Sequence, residues 1–174
     1  MVKISLHDFR NADDSSRRVE VAEKWPDTQF QGQAIQFPQG VDIDICLERH
    51  HDVLQLSGTV STVLRLSCSR CTAEFDLPVS VALRDKIPLS REQDPEEQWG
   101  SSYLDSEQDL LDLSEYAMLA VLEQVPLQPL CRPDCRGLCP TCGQNLNEGG
   151  CNCSSEEVDP RFAVLRQLLK SDSK

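Results

Sequence analysis

At 174 residues the chain suits one domain, or one domain with a small satellite. Its 39% apolar and 26% charged content belongs to a globular protein rather than a disordered one. A formal net charge of -12 repels phosphate, so nucleic-acid binding is not the electrostatic default, and no apolar run is long enough to span a membrane as a helix.

The opening MVKISLHDFRNADD has no apolar core and carries acids early, unlike a secretory signal or a transit peptide. The expected compartment is therefore a reducing cytoplasm, where clustered cysteines favour metal over disulfides. Val2 to Leu6 reads as a short strand and Asn11 to Ser16 as a polar loop. Arg18 to Trp25 reads as a second strand, stopped by Pro26-Asp27. Val41, Ile43, Ile45 and Leu47 alternate with polar residues, the period of a strand with one buried face. After a turn at His50-His51-Asp52, Val53 to Leu66 reads as a long strand bent or bulged at Gly58.

Cys68-Ser69-Arg70-Cys71 comes next, and Phe75, Leu77, Val79, Val81 and Leu83 then alternate as another strand. The C-x2-C pair thus falls at a turn between strands, the position of a zinc knuckle. Pro78 inside the second run predicts an edge strand or a bulge. Ser90 to Asp112 carries eight acids, and Ser90 to Gln108 reads as a mobile acidic loop. Asp109 to Val125 predicts a helix, apolar nearly all round and hence deeply buried against the sheet, ending before Pro126. Pro126 and Pro129 deliver extended chain to Cys131.

Six of the nine cysteines lie in LCRPDCRGLCPTCGQNLNEGGCNC, residues 130–153. Beyond them, Asp159-Pro160-Arg161 opens a terminal helix with Phe162, Leu165, Leu168 and Leu169 on one face. The whole predicts an α+β fold. A mostly antiparallel sheet packs on a buried helix in residues 1–128, and residues 129–174 form a cysteine-rich zinc-binding coil with a short terminal helix.

Eight clustered cysteines make two sets of four, the number that tetrahedral zinc takes from thiolates. Cys139, Cys142, Cys151 and Cys153 can close a local site. Cys131 and Cys135 then join Cys68 and Cys71, a long-range closure that ties the segment after the helix to the strand turn. Interleaved quartets or a single zinc also satisfy the spacing. Arg70 and Arg136 beside the sulfurs favour thiolates, because zinc with four thiolates carries a net charge of minus two.

Cys135-x3-Cys139-x2-Cys142 has the spacing of radical-SAM iron–sulfur enzymes, but the chain lacks their repeated strand–helix units. A redox dithiol wants a strand–helix context that Cys68 does not have. Cys46 reads as a small buried or half-exposed thiol, and His7, His50 and His51 as surface or turn residues. No nucleophile–His–acid set, Walker loop or dinucleotide fingerprint is present, so an enzyme is not indicated.

C-x-R-C at Cys68 to Cys71, DLLDLSEYAMLAVLEQVPL, LCRPDCRGLCPTCGQNLN followed by C-x-C, and DPRFAVL occur in one order over residues 60–170. In that order they resemble the YceD proteins of bacteria and plastids, the large ribosomal RNA subunit accumulation proteins. The resemblance implies a non-enzymatic role in accumulating large-subunit (23S) ribosomal RNA, in the bacterial cytoplasm or, for a processed plant homologue, the plastid stroma. The expected partner is a ribosomal protein or assembly factor of the large subunit, met by the acidic stretch Ser90 to Asp112 as a mimic of phosphate. The alternative is direct contact with ribosomal RNA through Arg132, Arg136, Arg161 and Arg166. A zinc-ribbon nucleic-acid-binding regulator is a competing class, and a thiol-redox enzyme is a third.

Overall fold

The computed structural model describes residues 1–11, 15–89, 104–105 and 108–153. Two compact units are distinguished, Met1–Ser69 with Ala73–Cys131, and Arg70–Thr72 with the chain from Arg132 onward.

The first unit is built on four antiparallel strands in the order β2-β5-β6-β7, where β2 is Ser16–Glu23, β5 Val41–His50, β6 Val53–Ser67 and β7 Glu74–Pro88. The alternating sequence of β5 produces alternating burial, with Val41, Ile43, Ile45 and Leu47 all within 2% of full burial. Leu54, Leu56, Val60, Leu64 and Leu66 of β6 join the same core. Each such side chain removed from water contributes about 2 kcal/mol, so this unit carries its own hydrophobic stability.

β6 and β7 pair without interruption from Val53↔Pro88 to Ser67↔Glu74, and the β5–β6 register is equally continuous. No residue is inserted at Gly58, so the strand has no bulge there. Glycine is required for a different reason: a Cβ at position 58 would lie 2.1 Å from the Asp44 carbonyl oxygen. Pro78 lies within β7, which is an edge strand of this sheet, where a missing N–H leaves no ladder bond unmade.

A second small sheet has the order β1-β9-β8, from Lys3–Ser5, Leu110–Asp112 and Leu104–Asp105. Here two expectations are corrected. Leu110–Asp112 is strand rather than helix, because its backbone pairs with Lys3–Ser5. Leu104–Asp105, expected within an acidic loop, pairs with Leu110 and Leu111. Gln108 N–H donates to Asp105 Oδ1 at 2.9 Å, and residues 90–103 and 106–107 of the expected loop lie outside the described residues, as does the expected terminal helix.

Helix α2 runs over Leu113–Leu122, and the Asp112 carboxylate caps it by accepting from the Glu115 N–H at 3.1 Å. It is not buried all round. Leu113, Ala117 and Val121 are fully buried, whereas Leu119 is 39% exposed and Tyr116 and Met118 are half-buried. An even apolar composition conceals a helix with one inward face.

Two further elements carry weak sequence signals. A short helix α1, Leu6–Arg10, follows β1 and buries Leu6 and Phe9. Arg49 supports its end by donating through Nη1 to the Phe9 and Arg10 carbonyls at 2.8 and 3.0 Å. β3 and β4, Thr28–Phe30 and Gln33–Ile35, form a hairpin turned by Gln31 and Gly32, both with positive φ.

Candidate metal centres

Pairing of β6 with β7 persists to Ser67↔Glu74, so residues 68–73 must reverse the chain within a tight turn. Cys68 N–H donates across it to the Ala73 carbonyl at 2.9 Å, and Thr72 takes the left-handed conformation at φ 59°. Cys139-Pro-Thr-Cys142-Gly143 repeats that construction. Cys139 N–H donates to the Gln144 carbonyl at 2.8 Å, and Gly143 has φ 74°. In both turns a donor amide on the first cysteine and a left-handed residue after the second hold the two sulfurs on one side.

A third left-handed residue, Gly137 at φ 75°, follows Cys135 and Arg136. Its missing Cβ makes room for backbone, because a Cβ there would sit 3.0 Å from the Arg70 carbonyl oxygen. That carbonyl accepts from Leu138 N–H at 3.2 Å, and the Arg70 guanidinium donates to the Cys135 carbonyl at 2.9 Å. The arginine of the first C-x2-C turn thus positions backbone around Cys135.

The sulfur atoms fall into two groups. Those of Cys68, Cys71, Cys131 and Cys135 lie within 4.8 Å of one another, as do those of Cys139, Cys142, Cys151 and Cys153. Zinc–thiolate bonds of about 2.3 Å in a tetrahedron place sulfurs about 3.8 Å apart, so either group could hold a metal ion and its donors suit zinc. The groups differ in exposure. Cys68, Cys71 and Cys135 are 2%, 4% and 2% exposed, whereas Cys142 of the other group is exposed.

Two observations test the fit of a cation. The first is electrostatic. Backbone N–H groups of Cys142 and Thr141 and the side chain of Cys151 bring the Cys139 thiol down to about 6. The neighbouring Cys142 sulfur, with desolvation, pushes Cys153 up to about 12. Four sulfurs this close cannot all ionise by themselves, and a bound cation removes that conflict. The second is packing. Among the described residues of the second unit, the buried ones are Cys71, Cys135, Gly137 and Cys139. Among these described residues cysteines stand where other folds have leucines and supply little hydrophobic stability, the usual circumstance of a metal-dependent fold.

Cys46 stands apart on β5, its thiol directed at Glu48 Oε1 at 3.7 Å, where burial and the carboxylate push it up. Among the described residues, both candidate groups consist of cysteine alone. His7 engages Asn11, His50 lies 3.6 Å from Glu48, and His51 is the left-handed residue of the β5–β6 turn. Arg132 is 3.7 Å from Asp134 and Arg136 is exposed, while positions 161 and 166 lie outside the described residues.

Sequence reasoning missed Asn147. Its Nδ2 donates to Cys135 Sγ at 3.3 Å and its Oδ1 accepts from Arg136 N–H at 2.9 Å. An asparagine in a polar loop carries no sign of such a role. The only signal is its place between C-x2-C and C-x-C.

A family model described as the large ribosomal RNA subunit accumulation protein YceD matches residues 56–169. An uncharacterized protein of Mycobacterium tuberculosis is 32% identical over 137 residues, covering 76% of this chain and 64% of its own length. The large ribosomal RNA subunit accumulation protein YCED homolog 1, chloroplastic, of Zea mays is 26% identical over 189 residues, covering 90% of this chain and 62% of its own. Its Arabidopsis thaliana counterpart is 28% identical over 160 residues, covering 76% and 50%. The match therefore spans less than two thirds of the length of each of these relatives. No solved structure gives a significant match.

Proposed function

This chain belongs to the YceD family of large ribosomal RNA subunit accumulation proteins, and from that membership we propose that it supports accumulation of large-subunit ribosomal RNA as a non-enzymatic assembly accessory. One observation carries the reading: the family match over residues 56–169 takes in both cysteine quartets. The role given to them is structural. Four thiolates complete the tetrahedron of zinc and leave no open position for a substrate or an activated water. Cys68, Cys71, Cys131 and Cys135 hold one ion, and Cys139, Cys142, Cys151 and Cys153 hold the other.

The proposed partner is a basic ribosomal protein or assembly factor of the large subunit. A net charge of -12 favours a cationic protein surface over bare phosphate. The proposed setting is the bacterial cytoplasm. The plant relatives are named chloroplastic, so the stroma is the equivalent setting for a processed plant homologue. Among the described residues no helix is long and apolar enough to cross a membrane.

The test is the ratio of large-subunit to small-subunit ribosomal RNA in a host from which this chain is deleted. The expected outcome is a lowered ratio, restored by the wild type but not by a Cys71→Ser, Cys139→Ser double variant. An unchanged ratio on deletion would refute the proposal. Tight, strongly salt-dependent binding of the purified protein to bare ribosomal RNA would contradict the protein-partner part alone.

A further inference from the structure

Asn147 lies in the loop closed by Cys142 and Cys151, yet its side chain serves the other quartet. The amide is fully engaged. Nδ2 donates to Cys135 Sγ at 3.3 Å and to Asn145 Oδ1 at 2.8 Å, and Oδ1 accepts from Arg136 N–H at 2.9 Å. A backbone N–H can only donate, so Arg136 fixes which end of the amide faces it and turns the NH2 group toward the sulfur.

The loop is registered against the segment that carries Cys135. Leu146 N–H donates to the Gly137 carbonyl at 2.9 Å, and Leu138 and Asn145 form an isolated antiparallel bridge. Asn145 Oδ1 also accepts from Asn147 N–H at 3.1 Å, and its Nδ2 donates to Glu148 Oε1 at 2.9 Å. The ends of this loop are the cysteines of the second quartet, so closing that quartet fixes the loop.

We infer that the two metal sites are thermodynamically coupled, with Asn147 as the positioning residue that links them. An ion at Cys139, Cys142, Cys151 and Cys153 orders the loop. The ordered loop aims an N–H at the Cys135 thiolate and withdraws charge from a site whose four thiolates outweigh the ion. Binding at either site therefore tightens binding at the other, since linkage is reciprocal. The inference rests on the zinc reading given above.

Cobalt(II) is the probe, because tetrahedral thiolate ligation gives it a distinct visible spectrum. Full-length Cys142→Ser, Cys153→Ser and Cys68→Ser, Cys71→Ser double variants report each site alone, in competition with a chelator. Uncoupled sites give a wild-type isotherm equal to the sum of the two single-site isotherms. Coupling makes the second ion bind more tightly than that sum by on the order of 10-fold. Asn147→Asp keeps the acceptor for Arg136 but replaces the donor by a carboxylate, and is expected to abolish the excess. Asn147→Ala should do the same.

A wild-type isotherm equal to the sum overturns the coupling, and an excess that survives both substitutions overturns Asn147 as the link; either result leaves the zinc sites intact. Failure of cobalt to bind the wild type at all overturns the zinc reading, and the inference with it.

Discussion

Thr72 and Gly143 occupy the same place in two separate turns. Each directly follows the second cysteine of a C-x2-C pair, with φ 59° and 74°. Glycine adopts that conformation without penalty, whereas a β-branched residue is strained by about 1–2 kcal/mol. Thr72 is tolerated in part because its hydroxyl donates to the Cys71 carbonyl at 2.7 Å.

Gly143→Ala is accordingly expected to destabilise the protein by about 1–2 kcal/mol, through backbone alone, since among the described residues no atom beyond its chain neighbours lies within 4 Å of the added Cβ. Thr72→Gly relieves strain but loses the hydroxyl bond, so its net effect should stay under about 1 kcal/mol. Thermal unfolding of the two variants beside the wild type checks the asymmetry. A harmless Gly143→Ala would show that the second turn is not held as described.

Gly58→Ala should be far more damaging. Its Cβ would fall 2.1 Å from the Asp44 carbonyl oxygen and 2.7 Å from Ile45 Cα, both on the paired strand β5. Backbone cannot yield as a flexible side chain does, and a loss of about 3 kcal/mol or more is expected in denaturant unfolding. A loss below about 0.5 kcal/mol, the range of ordinary surface changes, would contradict the register at Ile45↔Gly58.

Glu23 ties the end of β2 to α2. Burial disfavours its charge, but hydrogen bonds from the N-terminal ammonium, Trp25 Nε1 and Ser114 Oγ outweigh that and hold its carboxyl below the ordinary 4.5. A depressed folded-state pKa stabilises the fold fully above the unfolded value near 4.5, and this contribution disappears as pH falls through the folded value. Glu23→Gln should therefore lower stability at pH 7 and make little difference well below the folded value. Chemical denaturation across pH 2–8 checks this, and a loss independent of pH would assign Glu23 a packing role instead.

The strands of the main sheet were legible because each buries one face, and a period of two is written directly into Val41 to Leu47 and Phe75 to Leu83. The position of Cys68 and Cys71 between strands followed from the runs on either side, Val53 to Leu66 and Phe75 to Leu83. Leu110–Asp112 was not legible, because an apolar triplet next to helix-forming residues reads as helix until Lys3–Ser5 is known to pair with it. Helix α1 has five residues and no side-chain N-cap, and its end rests on Arg49, about forty positions away. Gly58 announced a special site in β6, but whether it served a bulge or a close approach depended on a partner strand that sequence alone does not place. Asn147 was invisible for the same reason, since its meaning lies in the distance to Cys135.

If the eight cysteines hold two ions of zinc, native mass spectrometry of the purified wild-type protein should find two zinc ions per chain. One ion, none, or iron in place of zinc would contradict it.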